Sequence, residues 1–232
     1  MISRDKALAK KLLAYHRIRV PNFSVFPVRH RIHRPKRLKF PIFVKSVVED
    51  ASLGISQASL VKNDEGLISR VSFVHEQIGK EAIAEEFIEG RELYVGVLGN
   101  KRLETFPVWE LLFKNKPDDQ PLIATARAKW NLKYQKKWGI ISREAKNIPD
   151  ALARKIKERC KKIYRILGLS GYARFDFRLT PEGSLYFLEA NPNPQLAYGE
   201  DFAESAEKRG ISYHELLQRV INLGLSWQSK AV

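Results

Sequence analysis

The spacing of apolar residues along the chain predicts a mixture of helices and strands. After Ser3, a candidate helix cap, apolar residues recur at helical intervals through about residue 16, with a stripe of Leu8, Leu12 and Leu13. Further helices are predicted over residues 65–79, 149–167, 202–209 and 213–223. Strands are predicted over residues 20–28, 42–47, 57–62, 83–88, 92–98 and 103–112. The mixed order indicates an α+β fold, and residues 114–147, which are polar and basic, are predicted to be mostly loop.

A hairpin near the carboxyl end carries charged residues where a core would normally be apolar. Apolar residues alternate with Arg174, Asp176 and Arg178, which predicts a strand with one polar face. A Pro–Glu–Gly turn signal follows, and the next predicted strand ends in Glu189 and Asn191, which are two residues apart and so share a face. These side chains are candidates for a functional site, and the alternative is a surface hairpin with solvated charges.

The register of this hairpin decides whether its acids meet. A two-residue turn would place Asp176 opposite Glu189, with the Cβ atoms roughly 5 Å apart. Two carboxylates that close repel each other unless a cation or a proton lies between them, and oxygen ligands of this kind suit Mg²⁺. A three-residue loop with a bulge would instead place Asp176 opposite Leu188 and separate the acids onto two faces. Local turn chemistry leaves both registers open.

Several motifs along the chain occur in an order that is specific to a known family. They are Asp5–Lys6, the strand 40–45 (FPIFVK), the loop 49–54 (EDASLG), the segment 84–92 (AEEFIEGRE), the triplet 128–130 (AKW), the triplet 174–176 (RFD) and the segment 188–194 (LEANPNP). This ordered set resembles the ATP-grasp superfamily, and within it the D-alanine–D-alanine ligase-like branch. The resemblance implies two α+β lobes that grip ATP between antiparallel sheets, with residues 1–88 as the N-terminal lobe and residues 89–232 as the C-terminal lobe.

The resemblance also implies how ATP is bound. Lysines near the start of the chain and at the end of a predicted strand would neutralise phosphate oxygens, and a small-residue loop would cover them. A hinge segment would read the adenine edge through backbone groups and enclose the ring with apolar side chains, and an acid would accept hydrogen bonds from the ribose. The implied residues are, for the phosphates, Lys6, Lys45 and Ser52; for the hinge and adenine, Glu85, Glu86, Phe87, Ile88 and Leu188; and for the ribose, Glu92.

The reaction that the resemblance implies is the ATP-dependent joining of a carboxylate to an amine. Arg174 and Lys129 would stabilise charge that develops on the transferred phosphate and on an acyl phosphate. Asp176, Glu189 and Asn191 would hold Mg²⁺, or Mn²⁺, against the phosphates. An amine would then displace phosphate to form an amide, with ADP and phosphate as by-products. An amino acid or a peptide is the expected substrate.

Three departures from the family pattern leave the substrate open. Asp50 and Ala51 stand where the phosphate-covering loop usually has glycine and serine, and Trp130 replaces a tyrosine or phenylalanine. The segment 193–195 (NPQ) replaces a Pro–Gly pair whose glycine N–H contributes an oxyanion contact. Nothing in the sequence matches the family's additional N-terminal substrate domain. The chain is therefore expected to be a fragment, a minimal enzyme or a subunit that needs a separate chain.

The charge of the chain suggests two alternatives. Lysine and arginine exceed acidic residues to give a formal net charge of +15, and the densest basic run spans residues 29–39. Such a surface suits an acidic peptide or protein partner, whose carboxylate the ligase would modify. It also suits a non-catalytic nucleic-acid-binding module, because basic residues interleave with aromatic ones around residues 129–138.

Other signals exclude some classes of protein and site. No apolar run approaches the roughly 20 residues of a membrane span, and the charged, helical N-terminus is unlike a signal peptide. The single cysteine, Cys160, cannot form an internal disulfide and is interpreted as a packed thiol, which fits the reducing cytoplasm. The five histidines do not form a spaced ligand cluster, so no catalytic histidine is predicted.

Overall fold

A computed structural model describes residues 2–48, 55–115, 123, 125, 128 and 131–227. The chain divides into two compact units, each assembled from separate segments. The first unit contains residues 1–90, 112–141 and 178–187, and the second contains residues 91–111, 142–177 and 188–232. The predicted division of the chain at residues 88 and 89 remains a prediction. Among the described residues, no helix combines the length and the apolar composition that crossing a membrane requires.

The first unit contains a four-stranded antiparallel sheet in the order β1-β4-β2-β3. Its strands are β1 (Phe23–Phe26), β2 (Ile42–Ser46), β3 (Leu60–Val61) and β4 (Ala82–Glu86). Its helices are α1 (Lys6–Tyr15), α2 (Asp64–Phe73) and α3 (Leu132–Trp138). Apolar residues of β2, β4 and α2, together with Leu38 of the basic segment, form its main core cluster.

Helix α1 begins later than the sequence predicted. The carboxylate of Asp5 accepts a hydrogen bond from the Leu8 backbone N–H and caps the helix, whereas Ser3 lies in a preceding 3-10 turn. An acidic cap is effective because its oxygen satisfies an N–H that has no partner within the helix. The predicted apolar stripe is also wrong at Leu8, which is exposed; the buried face instead includes Lys6, Lys10 and Leu13.

The second unit contains most of a six-stranded sheet in which β10, β9, β5, β7 and β8 follow one another and β6 pairs with β5. Its strands are β5 (Arg91–Leu98), β6 (Glu104–Thr105), β7 (Trp109–Phe113), β8 (Ile140–Glu144), β9 (Tyr172–Leu179) and β10 (Leu185–Asn191). Four of these strands, β7, β8, β9 and β10, extend into segments that belong to the first unit. The helices of the unit are α4 (Asp150–Ile166), α5 (Asp201–Lys208) and α6 (Tyr213–Leu225).

Two predictions for the middle of the chain need correction. The strand predicted over residues 103–112 is interrupted and forms β6 and β7. On β5, Val97 follows Tyr94 by three residues. Their partners on the opposite segment, Thr105 and Trp109, are four residues apart. This extra residue is a bulge, which the alternation of apolar residues does not reveal. The loop predicted over residues 114–147 contains α3 and β8. Asn131 caps α3 and Gly139 ends it in a left-handed conformation, two short-range signals that the polar composition obscured.

The turn between β9 and β10 takes the three-residue form. Thr180 N–H donates to Ser184 O at 2.9 Å and Gly183 N–H donates to Thr180 O at 2.9 Å, with Gly183 at a φ of +80°. Burial along β10 then changes phase, because Leu188 and Glu189 are both half-buried before Ala190 is buried. The two-residue turn that would place Asp176 opposite Glu189 is therefore not the one that forms, and the surroundings of each acid are described separately below.

Candidate functional site

The first unit contains a buried carboxylate between two buried lysines. Glu85 on β4 is 3% exposed, and its Oε1 atom lies 3.4 Å from Lys10 Nζ while its Oε2 atom lies 3.5 Å from Lys45 Nζ. Lys10 is fully buried on α1, and Lys45 on β2 is 7% exposed. Burying an ammonium is costly unless it is paired, so the carboxylate allows both cations to remain inside. One carboxylate thus accounts for two cations in the interior of the first unit.

The sequence selected Lys6 and Lys45 for the phosphates and Glu85 for the hinge, but it did not predict that Glu85 pairs with lysines, and it missed Lys10. Lys6 is buried on the same face of α1, and its backbone N–H donates to Val47 O at 3.0 Å. Lys10 follows Lys6 by four residues and precedes Leu13 by three, which places all three on one helical face. That spacing was a usable signal, because it puts a lysine on a face that packs against the sheet.

The predicted hinge contains residues whose polar groups are already committed to the fold. The Glu86 carboxylate accepts hydrogen bonds from the Asn22 amide and from the Lys39 N–H, both at 2.9 Å. Phe87 N–H donates to Pro41 O at 2.9 Å, and the Arg178 guanidinium carbon lies 5.5 Å from the centre of the Phe87 ring. The Glu86 side chain therefore holds the neighbouring chain segments. The predicted adenine contacts of this segment remain predictions.

In the second unit, Arg174 and Asp176 form a bidentate pair on β9. Arg174 Nε donates to Asp176 Oδ1 at 2.8 Å and Nη2 donates to Oδ2 at 3.0 Å, while Nη1 lies 3.8 Å from Asp201 Oδ2. Burial opposes the charge of the guanidinium, but the nearby carboxylates outweigh burial and raise the pKa of Arg174 above its ordinary value. Arg174 is therefore a permanent cation, held beside acids on the polar face that the sequence predicted.

The predicted ribose acid, Glu92, lies on β5 and is held by a tyrosine that the sequence analysis missed. Tyr94, two residues along the same strand, is 3% exposed and donates its hydroxyl hydrogen to Glu92 Oε1 at 2.8 Å. Its ring also contacts Arg174, whose guanidinium carbon lies 4.6 Å from the ring centre. Residues two apart on a strand share a face, so the pair could have been found once Glu92 was identified.

The predicted metal ligands combine one buried acid with two half-buried side chains. Asp176 is buried, whereas Glu189 and Asn191 on β10 are half-buried. Asn191 Oδ1 accepts a hydrogen bond from Asn193 N–H at 3.0 Å, which orients its amide. Two carboxylates and an amide oxygen are hard donors that fit Mg²⁺. Within the described part of the chain, there is no group of three or more histidine, cysteine or acidic side chains placed to hold a metal.

Four further predicted residues complete the set. Leu188 on β10 is half-buried, as is Ile88 in the hinge segment. Ser52 and Lys129 lie outside the described residues. Cys160 is a buried free thiol, as predicted, and burial raises its pKa well above the ordinary value, so it is not an activated nucleophile.

Comparison with known proteins places these features in a family. The model of a family described as "D-ala D-ala ligase C-terminus" matches residues 12–222. A D-alanine–D-alanine ligase from Carboxydothermus hydrogenoformans is 30% identical, over 97% of this chain and 70% of its own length. One from Bordetella petrii is 29% identical, over 95% of this chain and 64% of its own length. This chain thus spans about two thirds of the length of these relatives.

A solved structure shows the same fold. The crystal structure of D-alanine–D-alanine ligase from Bacillus anthracis complexed with ATP matches with a TM-score of 0.76 at 22% identity, over 97% of this chain and 66% of that one. The predicted α+β ATP-grasp fold is therefore confirmed. Because the family model covers most of the chain, this chain belongs to the family of D-alanine–D-alanine ligase C-terminal domains.

Proposed function

We propose that this chain is the ATP-binding and catalytic part of an ATP-dependent carboxylate–amine ligase. The observation that carries the proposal is the polar face of β9 and β5, where Arg174, Asp176 and Glu92 lie buried or half-buried in a chain of this family. Phosphoryl transfer needs positioned cations and carboxylates more than a protein nucleophile. Fixed charges of both signs, held on neighbouring strands, are suited to that task.

In this proposal, the chain binds ATP through lysines, a phosphate-covering loop and the hinge segment. Lys45, with Lys6 on α1, neutralises phosphate oxygens, and Glu85 pairs with the buried Lys45. Ser52 and the loop around it cover the phosphates. The backbone of Glu86 and Ile88 contacts the adenine edge, with Phe87 and Leu188 against the ring.

Asp176, Glu189 and Asn191 would hold the metal. Bound Mg²⁺ supplies positive charge that neutralises phosphate oxygens and orients them for transfer. Since both oxygens of Asp176 contact Arg174, Asp176 has to share its carboxylate between the metal and the guanidinium. Glu189 and Asn191 present half-buried oxygens that are suited to complete the set.

The reaction follows from these charges. A substrate carboxylate attacks the γ-phosphorus of ATP, the bond to the bridging oxygen breaks, and ADP leaves with the electron pair. Arg174 and Lys129 stabilise the charge on the transferred group and on the acyl phosphate that results. An amine then attacks the acyl carbon, loses a proton and expels phosphate. An amino acid or a peptide is the proposed substrate, and the buried, unpaired Cys160 is consistent with a cytoplasmic location.

A screen of ADP release over amino acids and dipeptides tests this function. We expect turnover that needs Mg²⁺ and both substrates, and that falls by at least about a hundredfold in Asp176→Asn and in Glu189→Gln. Glu189 is half-buried, so its variant is expected to fold even if the loss of the Asp176 ion pair destabilises the protein. Wild-type turnover that both substitutions leave unchanged would remove the proposed metal site.

A second candidate function is the modification of a carboxylate on an acidic peptide or protein. The basic segment, residues 29–39, carries six cations and no acidic residue: Arg29, Arg31, Arg34, Lys36, Arg37 and Lys39. One of them, Arg34, is committed to the fold, with Nε 2.7 Å from Asp64 Oδ1 and Nη1 2.8 Å from Leu38 O. Leu38 is fully buried and anchors the segment.

The other five cations of the basic segment are exposed, and none has a salt-bridge partner within the described residues. Like charges close together in sequence repel one another, and salt weakens this repulsion. An anchored surface with unneutralised charge is suited to attract a carboxylate-rich polypeptide and to speed its encounter with the enzyme.

Binding of polyglutamate tests this second function, with single-stranded and double-stranded nucleic acid as competing ligands. The test variant replaces three exposed cations of the basic segment with glutamine: Arg31, Lys36 and Arg37. The matched control replaces three exposed cations of α4: Arg154, Lys155 and Arg165. We expect only the test variant to weaken polyglutamate binding, by about tenfold or more at low salt. Equal loss in both variants would mean non-specific attraction, and preferential binding of nucleic acid without ATP turnover would favour the nucleic-acid-binding alternative.

A further inference from the structure

Tyr94 lies at the point where two predicted functional groups of the second unit come together. It occupies β5, two residues after Glu92, so both side chains project from one face of the strand. Its hydroxyl donates to Glu92 Oε1 at 2.8 Å in a buried hydrogen bond. A hydrogen bond to a charged acceptor is among the stronger ones in proteins, and it fixes the direction of the acceptor.

The ring of Tyr94 makes the second contact. The guanidinium carbon of Arg174 lies 4.6 Å from the ring centre, within the range of a cation–π interaction. The same guanidinium donates hydrogen bonds to Asp176 from Nε and Nη2. The ring therefore limits the positions that Arg174 can take when Asp176 engages another partner.

The hydroxyl has a role that the ring alone does not explain. Phenylalanine would fill almost the same volume and would also stack on Arg174. A buried hydroxyl is costly unless it is hydrogen-bonded, and Glu92 is the acceptor that satisfies it. Burial, reinforced by the charges of Glu92 and Asp176, raises the pKa of Tyr94 well above its ordinary value, so the phenol stays a donor at neutral pH.

The hydrogen bond from Tyr94 fixes the orientation of the Glu92 carboxylate. A carboxylate can accept several hydrogen bonds at once, and Tyr94 bonds to one of its two oxygens, Oε1. A carboxylate held in one orientation is suited to accept hydrogen bonds from two neighbouring hydroxyl groups.

We propose that Tyr94 is a positioning residue of the nucleotide site: its hydroxyl orients Glu92 toward the ribose hydroxyls, and its ring supports Arg174 beside the transferred phosphate. The inference rests on the proposed function, since it assumes that a nucleotide binds here. Tyr94 would thus determine both the preference for ribose over deoxyribose and the position of Arg174.

Two substitutions separate the roles of the hydroxyl and the ring. Tyr94→Phe removes only the hydroxyl, so we expect the Kd for ATP to rise about three- to tenfold while the Kd values for 2′-deoxy-ATP and 3′-deoxy-ATP change less than about twofold. Tyr94→Leu also removes the ring, and we expect it to lower kcat by about a further tenfold.

A matched control removes another buried tyrosine hydroxyl of the same unit. Tyr164 donates its hydroxyl hydrogen to Gly99 O at 2.8 Å and packs edge-on against Phe175, on the opposite face of β9 from Arg174. Tyr164→Phe should therefore lose stability to a similar extent while leaving the preference for ATP over its deoxy analogues unchanged.

A double-mutant cycle completes the test. If Tyr94 acts through Glu92, Tyr94→Phe combined with Glu92→Gln should bind ATP no more weakly than Glu92→Gln alone. Additive losses, or an unchanged preference for ATP over its deoxy analogues in Tyr94→Phe, would overturn the inference. If the wild-type protein binds no ATP at all, the proposed function fails instead, so the two failures are distinguishable.

Discussion

Replacing Glu85 with glutamine tests whether the buried lysines of the first unit form an anion site. The substitution keeps the shape of the side chain but removes the negative charge that lies 3.4 Å from Lys10 Nζ and 3.5 Å from Lys45 Nζ. At an effective dielectric constant of about 20, each of these contacts represents about 5 kcal/mol of Coulomb attraction before desolvation is subtracted. Removing one partner from a buried ion pair typically costs about 3–5 kcal/mol. We expect Glu85→Gln to lower the free energy of unfolding by that amount.

The same substitution should increase the stabilisation that bound Mg·ATP gives to the folded protein. Without the carboxylate, the buried lysines present a larger positive charge, and bound triphosphate would neutralise it. Ligands that bind only the folded state stabilise it by mass action, so saturating Mg·ATP should raise the unfolding free energy more in Glu85→Gln than in the wild type. Urea unfolding followed by circular dichroism, with and without Mg·ATP, measures both effects.

A second buried carboxylate provides the control. Glu110 is buried in the second unit and binds Arg91 through two hydrogen bonds of 2.7 Å. Glu110→Gln should also lose stability, but Mg·ATP should stabilise it no more than the wild type. A stability loss below about 1 kcal/mol in Glu85→Gln would refute the electrostatic reasoning. An equal gain from Mg·ATP in both variants would refute the assignment of phosphate binding to Lys45.

Other predictions concern packing and reactivity. In Gly90→Ala, the added Cβ would lie 2.1 Å from Leu179 O at a φ of +140°, so urea unfolding should show a loss above about 2 kcal/mol, whereas Gly183→Ala, with φ +80° and open space around it, should lose about 1 kcal/mol. Because burial raises the pKa of the Cys160 thiol, a disulfide reagent at neutral pH should modify it only as fast as the protein opens; rapid modification of the native state would contradict its burial. The Arg219 side chain is 41% exposed and forms ion pairs with Glu104 and Glu215. Exposed ion pairs contribute little, so Arg219→Ala should change the unfolding free energy by less than about 1 kcal/mol. A larger loss would show that these ion pairs act as a network.

Much of the fold could be predicted from patterns that are local in sequence. Alternation of apolar and polar residues identified β9, short apolar runs identified β2 and β4, and helical spacing identified α4. Each pattern reflects which faces of the element pack against a core. Elements with weak periodicity were missed: α3 has no buried residue, so only its caps, Asn131 and Gly139, indicated a helix. The bulge that interrupts the strand after β5 leaves no mark in the apolar pattern at all.

For the candidate site, too, the sequence predicted the features that depend on local patterns. The sequence by itself determined which residue types were present and in which order, and this order sufficed to identify the family and to select Lys45, Glu92, Arg174 and Asp176. Those choices depend on chain order and on spacing of two residues along a strand, which are local properties.

Only the tertiary structure decided what each charge contacts. Pairing of Glu85 with Lys10 joins a strand to a helix 75 residues earlier in the chain, and stacking of Arg174 on Tyr94 joins two neighbouring strands that are 80 residues apart. Contacts at such separations are set by how the elements pack, since burial is what makes an unpaired charge or hydroxyl costly. The physical role of a polar residue in this chain is therefore determined by the partner that packing brings to it.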